Sequence, residues 1–296
     1  MKIEEKIILI TGATGGIGKQ TAISLAASGF RVYITGRNKE SGNNAVNEIQ
    51  EESGNKNVYL LTGDLSTFEG ILSVAEQFKN RRQKLDILIN NAGSAAPKLI
   101  KTENDLELNF AVNVVAPFLL TKLLMPDLKK SSSPRVVCVT GGDLPSKLEI
   151  DNLQCEKEFK GLNSYSQSKS AMMALMYKFS QQIKDENITI NICYPGQAGT
   201  NMTQSVTKEM LPVFFRPLFP VFKLFTKPDN GKSAKIASKS SVFLATSDTM
   251  NNITGKYFNK KCKETTMPKC VTDENTGKFV WNYVNKILLD KKLIDS

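Results

Sequence analysis

The sequence predicts an α/β fold of the Rossmann type, a doubly wound parallel sheet with helices on both faces. In the first two-thirds of the 296 residues, short runs rich in Val, Ile and Leu alternate with helical stretches. This alternation is typical of βαβ units around a sheet that is buried on both faces. The first run leads into TGATGGIG at 11–18, a glycine-rich turn between a strand and a helix. We expect one domain over 1–296.

Six strands and seven helices are predicted from these runs. The strands cover 7–11, 31–35, 57–62, 85–90, 135–140 and 189–194. Helices are predicted at 19–28, 40–52, 68–82, 105–130 and 165–185, and two more at 233–246 and 278–291. Glycines follow the first two helices, as is common where a helix ends.

The character of the chain changes after residue 200. Residues 211–225 read LPVFFRPLFPVFKLF, and the three prolines exclude one continuous helix. We interpret the segment at about 200–230 as a broken helical lid over a substrate cleft. The alternative is a peripheral membrane contact, with Arg216 and Lys223 at the level of the lipid headgroups.

Composition excludes several classes of function. The chain has no histidine, which removes Ser-His-Asp and Cys-His nucleophiles and the common zinc ligand sets. Its five cysteines are irregularly spaced and form no CxxC pair, which favours a reducing compartment without disulfides or a metal site. The net charge of +10 is spread along the chain without interleaved aromatic residues, so nucleic-acid binding is unsupported. That charge suits a solvated lysine-rich surface or an affinity for anionic membrane.

The first residues show no targeting signal. Residues 1–6 are charged, and the apolar run at 7–10 is too short to cross a bilayer. We therefore expect no N-terminal anchor and a cytoplasmic location.

The glycine-rich turn predicts a dinucleotide site. Gly12, Gly15, Gly16 and Gly18 open the first helix, where the backbone must approach phosphates closely and helix N–H groups are free. The remaining candidates of this turn are Thr14 and Ile17.

Residues after the next two strands bear on the choice of cofactor. Arg37 stands near the position where NAD-binding chains usually carry an acid. An arginine suits a 2′-phosphate, and Lys19 could add further charge, so NADP is favoured over NAD. Asp64 and Leu65, after the third strand, are the expected contacts of the adenine.

Tyr165 and Lys169 are four residues apart, which places them on one face of a predicted helix. An unperturbed phenol has a pKa near 10, and a neighbouring ammonium favours the phenolate. We therefore expect a phenol that moves a proton, with Lys169 lowering its pKa.

Five motifs in order resemble the short-chain dehydrogenases/reductases over essentially the whole chain. They are TGATGGIG (11–18), NNAG (90–93), Asn113, YSQSK (165–169), and Pro195-Gly196 followed by Thr200. The stretches CYPGQAGTNM (193–202) and SSVFLATSDTMNNITGKYFNKKCKE (240–264) resemble the retinol dehydrogenase-like branch.

The resemblance implies roles for these residues. Tyr165 would be the general acid that protonates a carbonyl oxygen during hydride transfer, and Asn113 would hold a water in the proton relay. Lys169 would bind the nicotinamide ribose. The adenosine ribose would be lined by Asn91, Ala92 and Gly93, and the carboxamide end held by Pro195, Gly196 and Thr200.

The chain departs from the family at its serine, which should follow the fifth strand and bind the substrate carbonyl. In ungapped register this position is Gly141, which has no hydroxyl. A one-residue deletion would bring Thr140 there, and we favour Thr140 slightly over the absence of any substitute. Ser164 is a weaker candidate.

The sequence thus predicts an NADP(H)-dependent oxidoreductase that interconverts a hydrophobic alcohol with its aldehyde or ketone. Retinoid, steroid and lipid-like carbonyls are the family-level candidates. The rival hypothesis is an NADP-binding regulatory or interaction module with weakened catalysis, motivated by Gly141. A monomer, a homodimer and a membrane-associated form all remain open.

Overall fold

The computed structural model of the chain describes most of the predicted domain. Described are residues 6–141, 147–199, 201–204, 206–211 and 231–294, together with 214, 217, 219, 220 and 229. Most of the predicted lid at 200–230 lies outside these residues, so its interpretation stays a prediction.

A sheet with the strand order β3-β2-β1-β4-β5-β6-β7-β8 forms the centre of the described fold. Neighbouring strands are parallel, except that β7 and β8 are antiparallel. The strands are β1 Ile7–Ile10, β2 Arg31–Gly36, β3 Val58–Thr62, β4 Ile87–Asn90, β5 Arg135–Val139, β6 Thr189–Cys193, β7 Tyr257–Phe258 and β8 Glu264–Thr265. The six predicted strands are confirmed, and β7 and β8 are additions too short to leave an apolar pattern.

Helices pack on both faces of this sheet. They are α1 Gly16–Ala27, α2 Lys39–Ser53, α3 Phe68–Lys79, α4 Leu108–Phe110, α5 Ala116–Leu128, α6 Leu162–Gln182, α7 Asn201–Gln204, α8 Lys232–Thr246, α9 Lys269–Thr272 and α10 Glu274–Asp290. Polar caps set several boundaries: the Asp273 carboxylate accepts from the Thr276 N–H at 2.7 Å, which starts α10 four residues earlier than predicted.

Two hydrophobic clusters fill the space between the layers. Strand residues alternate between them, because successive side chains point to opposite faces. Leu9 faces the cluster that contains α3, α5, α6 and α10, whereas Ile8 and Ile10 face the cluster that contains α1, α2 and α8. The strand order reverses beside β1, and ligands bind at such a switch point, beyond the carboxyl ends of the strands.

The predicted helix at 105–130 is corrected in the structure. It consists of α4, a π turn at Ala111–Val115, and α5. The Glu107 carboxylate caps α4 by accepting from the backbone N–H groups of Asn109 and Phe110 at 2.9 and 2.7 Å. A π turn inside a helix is frequent at functional sites, and this one contains Asn113.

The stretch Leu108–Leu128 is long and apolar enough to cross a membrane by length and composition. Inside the fold, however, 72% of its most apolar window is buried. Core helices of soluble proteins share this property, so the stretch is weak evidence of a membrane span.

The last helix covers the helix that carries Tyr165. Trp281 of α10 meets Phe118 of α5 and Phe179 of α6 edge-on, with ring centroids 5.3 and 5.7 Å apart. The Lys122 ammonium lies 5.5 Å from the Trp281 ring centroid. This aromatic cluster fixes α5, α6 and α10 to one another.

Candidate active site

The glycine-rich turn is held closely against the ends of β2 and β4. Gly12 has φ +62°, and its N–H donates to the Thr35 hydroxyl at 3.0 Å. A Cβ on Gly12 would lie 2.8 Å from the Ala92 Cα, and a Cβ on Gly18 would collide with Asn91. Side chains are therefore excluded at both positions.

The front of the same turn is open. A Cβ on Gly15 would meet nothing within 4 Å, and no side chain caps α1 at this residue. The Thr14 methyl lies against Gly36, and Ile17 packs beside α8. Uncapped N–H groups at the start of α1, with a positive dipole end and open space before them, fit the phosphates of a dinucleotide.

Asn91 ties the NNAG loop to this turn. Its amide donates to the Thr11 and Gly12 carbonyl oxygens at 2.9 and 3.1 Å. The N–H groups of Asn91 and Ala92 each donate to the Thr11 hydroxyl at 3.0 Å. The Asn91 amide thus positions the glycine-rich turn, while Ala92 and Gly93 lie half-buried beside it.

Arg37 lies exposed directly after β2, and within the described parts of the chain no carboxylate pairs with it. Lys19, by contrast, forms an ion pair of 2.5 Å with Glu48 of α2. The Arg37 guanidinium is therefore available beside the end of β2, and the exposed Lys39 follows it at the start of α2.

The residues after β3 turn towards their own loop. One oxygen of the Asp64 carboxylate accepts from the Ser66 N–H at 2.9 Å. The Leu65 side chain is buried in the core, so only its backbone can face a ligand.

Tyr165 and Lys169 lie in the first two turns of α6. The Tyr165 hydroxyl is 2.7 Å from the point that a Cβ on Gly141 would occupy. Lys169 is only 4% exposed, and its ammonium donates to the Val139 carbonyl at 3.3 Å. The phenol and the ammonium are thereby fixed beyond the end of β5.

Burial shifts the pKa values of both Tyr165 and Lys169. It raises the pKa of Tyr165 to about 12, with a smaller contribution from neighbouring Tyr194, and lowers the pKa of Lys169 to about 8. The expectation that Lys169 lowers the pKa of the phenol is thus corrected. The phenol is removed from water, and the described hydrogen bond of the ammonium goes to the Val139 carbonyl.

Asn113 joins the π turn to α6 and to the loop after β4. Its side-chain oxygen accepts from the Ser94 N–H at 2.8 Å, and its amide donates to the Ser94 carbonyl at 2.9 Å and the Ser168 hydroxyl at 2.8 Å. Ser168 in turn donates to the Tyr165 carbonyl at 2.7 Å. The amide is therefore a positioning group, and the water that Asn113 is predicted to hold stays a prediction.

Sequence reasoning missed Ser168. Its only signal was its place between the tyrosine and the lysine, on the face that meets the π turn.

Neither of the two candidate substitutes for the serine, Thr140 and Ser164, presents an accessible hydroxyl. Thr140 is 3% exposed, and its hydroxyl is buried without a hydrogen-bond partner among the described residues. Ser164 accepts from the Lys160 N–H at 2.8 Å and is buried at the start of α6. Gly141 is the residue that faces the Tyr165 hydroxyl.

The loop after β6 completes the carboxyl edge. Pro195 is buried, and Gly196 has φ +86° with the Lys260 side chain against it. A Cβ on Gly196 would be 3.1 Å from the Lys260 Cδ. Thr200 lies outside the described residues.

Comparison with known proteins identifies the family of the chain. Residues 6–211 match the family described as short chain dehydrogenase. The chain is 32% identical to retinol dehydrogenase 12 of Mus musculus, with 97% of this chain and 88% of the relative covered. Identity to retinol dehydrogenase 14 of Homo sapiens is 29%, with 94% and 84% covered.

The fold also matches solved structures. An uncharacterised protein from Mycobacterium paratuberculosis has a TM-score of 0.72 at 19% identity, with 95% of this chain and 92% of that chain covered. This likeness concerns the fold alone. Taken together, the motifs, the sheet and the relatives establish that the chain belongs to the short-chain dehydrogenase family, as a retinol dehydrogenase-like oxidoreductase that acts on CH–OH groups and has an NAD(P)-binding fold.

Proposed function

We propose that the chain is an NADP(H)-dependent oxidoreductase that interconverts a hydrophobic alcohol with its aldehyde or ketone, with Tyr165 as the acid–base group. One observation carries the proposal: the Tyr165 hydroxyl occupies the space over Gly141, one helical turn from buried Lys169 and beyond the carboxyl end of β5. A phenol in that place can exchange a proton with a substrate oxygen.

The residues at the carboxyl edge fit a dinucleotide. The glycine-rich turn would hold its phosphates, Arg37 its 2′-phosphate, and Gly196 and Lys169 its nicotinamide end. When bound, the nicotinamide supplies or accepts the hydride.

The proton chemistry of Tyr165 favours reduction near neutral pH. With its pKa at about 12, the phenol keeps its proton and can donate it to a carbonyl oxygen that gains charge. Lys169, with its pKa at about 8, remains mostly cationic at pH 7, one helical turn from the phenol. Oxidation needs the phenolate, so its rate should rise with pH.

An apolar substrate is supported by two features. The segment 211–225 is rich in Phe and Leu, and the curated relatives are named as retinol dehydrogenases. We extend this to a substrate class rather than to retinol itself, because family membership does not fix the substrate.

The first experiment measures NADPH oxidation with paired long-chain and short-chain aldehydes and ketones. Tyr165→Phe removes only the hydroxyl, so kcat should fall by about 10²–10⁴ while NADPH still binds. Tyr177→Phe, on the same helix, is the matched control and should retain activity. Unchanged turnover in Tyr165→Phe contradicts the assigned acid, and equal turnover of long and short carbonyls contradicts the apolar substrate.

A second candidate function is an NADP-binding module with weakened catalysis. The absence of a hydroxyl at Gly141 and the burial of the Thr140 hydroxyl favour it. Tight NADPH binding without turnover of any carbonyl would support this reading. In an active enzyme, loss of turnover in Thr140→Val would show that the Thr140 hydroxyl serves the reaction after all.

The cofactor preference depends on Arg37. Arg37→Asp places a carboxylate where the 2′-phosphate would lie, so the ratio of kcat/KM for NADPH over NADH should fall at least about tenfold, since hydrogen bonds to charged groups contribute about 1.5–3 kcal/mol. Arg82→Asp makes the same charge change at an exposed site at the other edge of the sheet. An equal effect of both substitutions would remove Arg37 from the cofactor site.

A further inference from the structure

The outer face of α8 is strongly basic. Lys232, Lys235 and Lys239 are exposed along it, at spacings that place them on one side of the helix. Ile236 lies among them and is 62% exposed. The helix contains no acidic residue, and its opposite face is buried against α1 and the sheet.

Three more exposed lysines, Lys260, Lys261 and Lys263, lie on the tight turn between β7 and β8. The Asn259 side-chain oxygen accepts from the N–H groups of Lys261 and Lys263 at 2.9 and 3.3 Å, which holds the turn in shape. The Cys262 thiol donates to the Lys239 carbonyl at 3.7 Å. This contact sets the turn against the middle of α8, so the six lysines form one surface, named here the lysine surface.

The lysine surface carries six positive charges close together. Within the described parts of the chain, none of its six ammonium groups forms an ion pair with a carboxylate. Elsewhere the chain pairs lysines with acids, as in Lys129–Glu186 at 2.9 Å. At the border of the lysine surface, the Glu264 carboxylate pairs with Lys256 at 3.0 Å and not with the neighbouring Lys263. Like charges that lack internal partners attract an anionic partner from outside.

The lysine surface borders the candidate active site. Strand β7 is parallel to β6, so the turn that follows β7 lies at the same carboxyl edge as the loop after β6. The Lys260 side chain touches Gly196 of that loop.

We propose that the lysine surface docks the protein on an anionic lipid membrane. The lysines would contact the lipid headgroups, and Ile236 would enter the interface between headgroups and acyl chains. The described residues that carry these lysines, 232–239 and 259–263, include an exposed aliphatic side chain and no aromatic residue. Because nucleic-acid bases stack on aromatic rings, this composition favours lipid over nucleic acid. Docking would place the rim of the active site at the membrane, where an apolar substrate is dissolved. This advantage to the enzyme rests on the proposed function.

The test is co-sedimentation of the full chain with phosphatidylcholine vesicles, with or without phosphatidylserine, at low and at physiological salt. Wild type should bind the phosphatidylserine vesicles, less so as salt rises, and leave the neutral vesicles unbound. Lys235→Glu, Lys239→Glu and Lys261→Glu combined should weaken binding at least about tenfold, because each lysine near an anionic surface contributes about a fivefold factor.

The matched control replaces three exposed lysines by glutamate at the opposite, amino edge of the sheet. These lysines are Lys56, Lys79 and Lys184. The net charge of this control equals that of the first triple variant, so it should bind vesicles nearly as well as wild type. Equal losses in both variants, or equal binding to neutral vesicles, would overturn the proposal. So would binding to a single-stranded RNA with the same lysine dependence while vesicles stay unbound. The measurement needs no turnover, so its failure is separate from failure of the proposed reaction.

Discussion

At the scale of single residues, the buried Lys169 ammonium lowers the stability of the folded protein. Its ammonium is almost fully removed from water, and its described hydrogen bond goes to one backbone carbonyl. Burying a charge with so little compensation destabilises a fold, and functional sites are where such costs are retained.

We therefore expect Lys169→Met to abolish turnover and to stabilise the protein. The pKa of Lys169 falls from 10.5 to about 8 on folding. The cost is thus fully present below about pH 8 and disappears as pH rises towards 10.5, since the unfolded chain binds the extra proton in that window. At pH 7 the variant should gain on the order of a few kcal/mol in urea unfolding.

The control for this prediction is Lys184→Met, an exposed lysine whose loss should change the free energy of unfolding by less than about 0.5 kcal/mol. If Lys169→Met destabilises the protein at pH 7, or if its gain does not shrink between pH 8 and pH 10, the ammonium is better compensated than its contacts indicate.

The residues of the site were predictable to different degrees. Tyr165, Lys169 and the glycines stand in motifs whose spacing follows from a helix face or a tight turn. The linking role of Ser168 depends on a π turn that brings Asn113 to it, and no local pattern marks that turn. The direction of the pKa shift of Tyr165 depends on burial, which the sequence does not reveal.

At the scale of elements, α10 is more than a terminal helix. Trp281 links it to both α5 and α6, and α6 carries Tyr165 and Lys169. Packing of the last helix therefore supports the position of the acid–base pair.

Removing that anchor should weaken the whole fold. We expect Trp281→Ala to lower the free energy of unfolding by about 2–4 kcal/mol, because a large, partly buried aromatic side chain and its ring contacts are lost. Urea unfolding followed by circular dichroism measures the effect. Asn282 is the exposed neighbour of Trp281, and Asn282→Ala should unfold within about 0.5 kcal/mol of wild type. Equal losses of stability in the two variants would show that Trp281 does not anchor α10.

Strands and helices were predicted with unequal success for physical reasons. Strands buried on both faces leave continuous apolar runs, so all six long ones were found within two residues of their ends. Strands β7 and β8 are held by neighbours rather than by an apolar run of their own. The division of the predicted helix at 105–130 arises from the cap at Glu107 and from the π turn, neither of which changes the apolar pattern.

At the scale of the whole molecule, one sheet edge gathers the candidate groups that the structure describes. The glycine-rich turn, the NNAG loop, Gly141 and the loop after β6 all follow the carboxyl ends of parallel strands. Alternating strands and helices were enough to predict this convergence. The lysine surface at the same edge was not predictable, because its two halves lie in separate parts of the chain and meet through the contact between Cys262 and Lys239.

The covering of α6 by α10 also has a consequence for biosynthesis. A ribosome releases a chain from its N-terminus, so the strands and the helix with Tyr165 emerge well before residues 274–290. Until residues 274–290 have left the ribosome, the apolar side of α6 lacks its cover, and a nascent chain contains the motif without a finished site. The site is therefore finished later than its motifs are made, and a chain cut short before residue 274 would keep every motif and lose the packing that supports Tyr165.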